Sequence, residues 1–265
     1  MSSSVIAFPQ RPVGVISISV DIGLASDDVF GAGASHDDIQ SVCIELLDRF
    51  NKRQIAASWA LASLATAVLT RQILQARPGH EIALLAGSQT SSGSQSRGEI
   101  VQRIVRPIQQ AAESGVAVSS IAFVGGWRRR HVDLLAKRGI TMVRGTSRQH
   151  AGQRIEPVCY GMWYVPVAVD IRGGGWVANH AQLRLARRAI GLTMRDNGLC
   201  HLRIDVAALA KGDVACSLRT FDRLLRDLAQ VRDAGQIAIE TLRDTAARLA
   251  PRRILPAARS ILRAA

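Results

Sequence analysis

Apolar, β-branched runs alternate with helix-patterned stretches along almost the whole chain, and this order is the strongest constraint on what it can fold into. Residues 13–20 form a β-rich run that ends at Asp21. Helical spacing follows at Ile39, Val42, Leu46, Leu47 and Phe50, with Asp37 or Asp38 expected as its cap. Residues 55–59, 82–85, 116–124, 140–143, 199–204 and 237–239 read as further strands. Residues 61–74, 99–113, 130–137, 180–195, 218–231 and 242–249 read as the intervening helices, with Pro107 expected to kink one and Gly139 to cap another. Such alternation predicts a mostly parallel sheet with helices outside. About seven strands fit one closed barrel or one doubly wound sheet, and in both the strand C-termini face the ligand crevice.

The length of 265 residues suits a single α/β domain. Aromatic residues make up only 4%, which argues against a broad stacking platform for sugars or bases. The net charge of +13 is carried by 31 arginines and 3 lysines, dispersed except for the run Arg128-Arg129-Arg130, so a solvated basic surface is expected and nucleic acid is disfavoured. Cys43, Cys159, Cys200 and Cys216 form no Cys-x-x-Cys pair and give no zinc or redox signature. The first residues lack a basic and apolar leader pattern, and no window has the length of a spanning helix; a cytoplasmic protein is expected. Walker and nucleophile-elbow motifs are absent, and Gly173-Gly174-Gly175 reads as an anion cradle or, more simply, as a loop.

Three segments carry more specific information. Ser19-Val20-Asp21-Ile22-Gly23, Gly79-His80-Glu81-Ile82 and His201-Leu202-Arg203-Ile204-Asp205 occur in that order, each at or beside an expected strand. Between them stand 47–50 leading into 55–59, then 118–126, 131–140 and Val143-Arg144-Gly145. This ordered set resembles the polysaccharide deacetylase family, the nodulation-protein-B homology group, over 13–249. The resemblance implies an α/β fold, a (β/α) barrel of about seven strands. It divides the chain into an N-terminal tail over 1–12, one deacetylase-like barrel domain over 13–249 and a basic amphipathic helix over 250–265.

The chemistry implied by the resemblance needs a divalent metal held by one aspartate and two histidines. A second aspartate serves as base and a further histidine protonates the leaving amine. Carried onto this chain, Asp21 falls at the base, and Ile22, Leu85 and Gln89 fall at the three metal positions. Asp205 falls at the acid, Val124 at an arginine expected after the fourth strand, and Asp170 with Trp176 at an aspartate–tryptophan motif. The chain therefore reads as a degenerate member with Asp21 and Asp205 as catalytic candidates and Trp59, Arg144 and His201 as substrate-binding candidates. No metal and no cofactor are expected, and the expected partner is a glycan or acetylated amino sugar. His201, inside a strand, also reads as a satisfied interior histidine.

Two other readings stand beside this one. The first is an active carbon–nitrogen hydrolase with a metal-free site, using Asp21 as base and Asp205 as acid. The second is a basic scaffold for nucleic acid or an anionic surface, using Arg128, Arg129, Arg130 and the tail.

Overall fold

Nine residues, Gly14–Ile22, all buried, form the central strand β1 of a computed structural model that describes residues 13–23, 35–62, 67–87, 96–124, 132–145 and 155–250. In chain order there follow α1 (His36–Lys52), β2 (Ser58–Leu61), α2 (Ala67–Gln75), β3 (Glu81–Ala86), α3 (Arg97–Ile100), a π-turn (Val101–Val105) and α4 (Arg106–Glu113). Next come β4 (Ser120–Phe123), α5 (Val132–Ala136), β5 (Met142–Gly145), β6 (Glu156–Pro157), β7 (Trp163–Pro166) and β8 (Val169–Ile171). The chain closes with α6 (Trp176–Asp196), β9 (Leu199–Asp205), α7 (Val206–Lys211), α8 (Val214–Asp233), β10 (Ile237–Glu240) and α9 (Leu242–Leu249).

The expected alternation holds, with local corrections. Ser35, not Asp37 or Asp38, is the cap of α1: its hydroxyl accepts from the Asp38 N–H, and the Asp38 carboxylate accepts from the Ser35 backbone. The predicted 99–113 helix is interrupted by the π-turn just before Pro107, which then stands in the first turn of α4, where its missing N–H is tolerated. The apolar run near 165–169 divides into the ends of β7 and β8. The short helix α7 was not expected. The polar loop over 88–95, the run Arg128-Arg129-Arg130 and the tail over 251–265 lie outside the described residues.

The sheet runs β6-β7-β5-β4-β3-β2-β1-β9-β8, and β10 pairs with the first half of β1. Every pairing is parallel except β6 with β7. Its curvature can be argued from one distance. β5 and β1 are four strand spacings apart, about 19 Å in a flat sheet. Yet Arg144 on β5 reaches Asp21 on β1 at 2.8 Å. The sheet is therefore curled into a barrel-like trough, with helices packed on its convex side through Phe50, Phe221, Leu224, Leu225 and Leu228.

The helix α9 stoppers the end at which the strands begin. Leu242 and Ala246 pack on Met142 and Val165. Leu242 N–H donates to Ser58 Oγ at 2.8 Å, and Arg243 N–H donates to the Glu81 carboxylate at 2.9 Å. The strand C-termini lie at the opposite end, the side on which such folds bind ligands.

Candidate functional site

Two strands supply the polar interior by the same device. In β1, Ser17, Ser19 and Asp21 alternate with apolar residues; in β9, His201, Arg203 and Asp205 do so. Parallel register sets Ser17 beside His201, Ser19 beside Arg203 and Asp21 beside Asp205. Side chains two apart share a face, so these six form three polar rungs rising toward the strand C-termini.

The lowest rung is closed on itself. Ser17 Oγ lies 2.8 Å from His201 Nδ1, and Ser19 Oγ lies 2.9 Å from Nε2. Burial, with the nearby charges of Arg144 and Arg203, holds the imidazole well below its ordinary pKa, so it is neutral. His201, expected to touch substrate, is instead an interior histidine with both nitrogens engaged.

The upper rungs hold an ionic network. Asp21 is fully buried, and its Oδ2 accepts from Arg144 Nη2 at 2.8 Å and from Arg203 Nε at 2.6 Å. Arg203 also donates Nη1 to Asp170 at 3.1 Å and Nη2 to Asp205 at 3.1 Å. Asp170 in turn accepts from Arg172 Nε at 2.7 Å. Three carboxylates thus meet three guanidiniums, a formally neutral set in which Asp170 and Arg172 reach solvent. Burial works against the Arg203 charge, but Asp21, Asp170 and Asp205 outweigh it and raise its pKa. Burial lowers the pKa of Arg144. Burial likewise raises the pKa of Asp205, against the pull of Arg203 and of the Ala208 N–H.

The network assigns structural work to every charged candidate. Asp205 Oδ1 accepts from Ala208 N–H at 3.1 Å and caps α7, while Oδ2 holds Arg203, so both oxygens are engaged as acceptors. Arg144 is fully buried on Asp21. Within this network the buried atoms left without a hydrogen-bond partner are Asp21 Oδ1 and Arg144 Nε and Nη1. Arg203 is the member of this network that sequence reasoning missed; the polar alternation His201-x-Arg203-x-Asp205 inside an apolar strand was the available signal.

Trp59 requires a correction. Register pairs it with Val20, one step out of phase with Asp21, so it points to the helices. There it is fully buried and makes edge contacts with Phe50 and His80 at centroid separations of 5.9 and 5.8 Å. It cannot line the crevice.

The metal positions implied by resemblance do not fit a metal. Leu85 faces the interior inside an apolar patch with Ala60, Ala83 and Ala122, flanked by Ala62 and Val124. Ile22 joins the separate apolar cluster that extends to the helices, and Gln89 lies outside the described residues. Hydrocarbon offers no lone pair, and the Asp21 charge is already matched by two guanidiniums. Among the described residues no group of three His, Cys, Asp or Glu side chains is placed to hold a metal ion. The Gly173 loop is not an anion cradle either: Arg172 and Gly173 N–H both donate to Gln182 Oε1. Gly173 has φ of +68°, and a Cβ there would lie 2.8 Å from Ser217 Oγ, so only glycine fits.

The chain shares its fold with known proteins. A protein from Mycobacterium smegmatis assigned as a polysaccharide deacetylase superposes with a TM-score of 0.69 at 14% identity, over 92% of this chain and 92% of that one. The Puue allantoinase superposes with a TM-score of 0.64 at 12% identity, over 91% of each chain. A mutant of a CE4 family pseudoenzyme gives a TM-score of 0.57 at 12% identity, over 89% of this chain and 68% of that one. No protein-family model matches the sequence, and no curated protein matches it. The fold expected from the ordered motifs is thus the observed one, a deacetylase-like α/β barrel.

Proposed function

We propose that this chain is a divergent deacetylase-fold protein that binds a glycan without metal-dependent amide hydrolysis. The observation that carries the reading is the double arginine clamp on Asp21. A general base must be free to accept a proton from water or substrate. Asp21 Oδ2 instead accepts from two guanidiniums, and the whole residue is buried, so neither carboxylate oxygen meets solvent. The apolar surroundings of Leu85 and the acceptor roles of both Asp205 oxygens point the same way. A glycan is the ligand class suggested by the polysaccharide deacetylase of like fold. A cytoplasmic setting remains part of this reading; among the described residues no helix is long and apolar enough to cross a membrane.

The test is calorimetric titration of the purified chain with acetylated chito-oligosaccharides, alongside its zinc content and acetate release. Saturable binding with no acetate and no stoichiometric zinc supports the reading. Acetate release that stops on chelation and returns with zinc overturns it.

A second reading, a metal-free amide hydrolase, draws on one observation: Asp21 and Asp205 stand side by side in register, and burial raises the pKa of Asp205. Acetate release lost in Asp21→Asn and in Asp205→Asn, and insensitive to chelators, would favour it.

A further inference from the structure

Away from the barrel interior, the outer face of α6 is basic and apolar at once. Its 21 residues contain no acidic side chain before Asp196. The side turned from the core carries Arg184, Arg188 and Arg195 together with Val177 and Leu185, which are 73% and 57% exposed. Trp176, 68% exposed, begins the helix and lies against His180 with ring centroids 4.4 Å apart.

The cations of α1 are balanced differently. In α1, Arg49 pairs with Glu45 and Lys52 with Asp48 at i,i+4 spacing. On α6, Arg187 pairs with Asp227 of α8 and Arg195 with Asp196, whereas Arg184 and Arg188 have no ion partner among the described residues. The adjacent α8 adds exposed Arg219, Arg223 and Arg226. A helix that needed only water around it would gain nothing from an exposed Trp-Val pair and an exposed leucine among unpaired arginines.

We propose that the outer face of α6 docks on an anionic lipid surface. Guanidiniums pair with lipid phosphates, while an indole and short aliphatic side chains enter the headgroup boundary. A nucleic acid would use the same arginines but would offer the exposed Val177 and Leu185 no comparable apolar partner. The proposal is independent of any glycan bound in the barrel.

The full chain is sedimented with vesicles of phosphatidylcholine alone and of phosphatidylcholine with phosphatidylglycerol at three to one. Wild type is expected to sediment with the anionic vesicles only, less so as salt rises, and with a blue shift of tryptophan emission that Trp176→Phe removes. The double variant Arg184→Glu/Arg188→Glu, at exposed positions and checked for folding by circular dichroism, should lose affinity by at least about tenfold. Failure of wild type to sediment overturns the proposal. So does undiminished sedimentation of the double variant, whose segment 250–265 is untouched and would then be the attachment. A third overturning result is a double variant that loses affinity for a DNA duplex while keeping it for vesicles.

Discussion

Arg203 Nε sits 2.6 Å from Asp21 Oδ2 although 182 residues separate them, and this contact ties together the two strands that carry the polar interior. The same guanidinium spends its other nitrogens on Asp170 and Asp205, so one side chain organises all three carboxylates. A planar cation with donors in three directions can do this; a lysine could not. The arrangement makes Asp21 a keystone of folding, whatever its chemistry.

Removing that keystone leaves two guanidiniums, one fully buried, without a counter-charge. Asp21→Ala is expected to cost about 3–5 kcal/mol in urea unfolding. Asp133→Ala, which breaks the exposed pair with Arg97, should change little. A small effect of Asp21→Ala would mean that the clamp is not formed in solution.

Leu85→His places an imidazole among Ala60, Ala83 and Ala122. The expected outcome is a loss of about 1–3 kcal/mol from a buried polar group with no partner, and no gain of zinc by equilibrium dialysis. Zinc acquired by this single change would show that the other ligands of a metal site are already in place.

Two histidines make acid stability testable. Burial lowers the pKa of His80 to about 4 from an ordinary 6.5, while its ring accepts from Ala57 N–H and pairs with Asn51 Oδ1. His201 is also held well below its ordinary pKa, by burial first and then by Arg144 and Arg203. Below pH 6.5 the unfolded chain takes up protons that the folded chain refuses, so stability is full above that pH and falls as pH drops toward 4. At pH 5 His80 should account for about 2 kcal/mol of the loss, and His201 should add to it in the same direction. Urea midpoints measured from pH 8 downward, with His80→Gln flattening part of the slope, provide the check.

Much of this architecture could be read from residue order. The period-2 and period-3.6 runs placed the parallel strands and most helices, because backbone alternation and core burial act locally. Asp21 and Asp205 were singled out by the motif resemblance, and for Asp21 the strand-end rule of such folds pointed the same way. Trp59 was misplaced by one residue of phase: a strand boundary drawn at 55–59 rather than Ser58–Leu61 hides which face the indole takes. The role of Arg144 was not legible, because it depends on how far the sheet curls, which brings β5 across to β1, whereas Arg203 stands on β9 directly beside β1 and was signalled by the polar alternation of its strand.

Glu81 offers the last test, at the opposite end of the barrel from Asp21. Its carboxylate, 1% exposed, accepts from Ser58 Oγ at 2.6 Å, Ser120 Oγ at 2.6 Å, Ser119 Oγ at 3.1 Å and Arg243 N–H at 2.9 Å. It thereby anchors the N-terminus of α9, where a negative charge is favoured by the helix dipole and by N–H groups that have no partner within the helix. Glu81→Ala strands three hydroxyls and one N–H and should cost about 3 kcal/mol or more, whereas Glu81→Gln keeps the shape and should cost about half as much. Because α9 is held by these bonds and by Leu242 and Ala246 against Met142 and Val165, its amides should lose hydrogen-exchange protection in Glu81→Ala before those of β1 do. Retained protection across Leu242–Leu249 would show that apolar packing alone seats the plug.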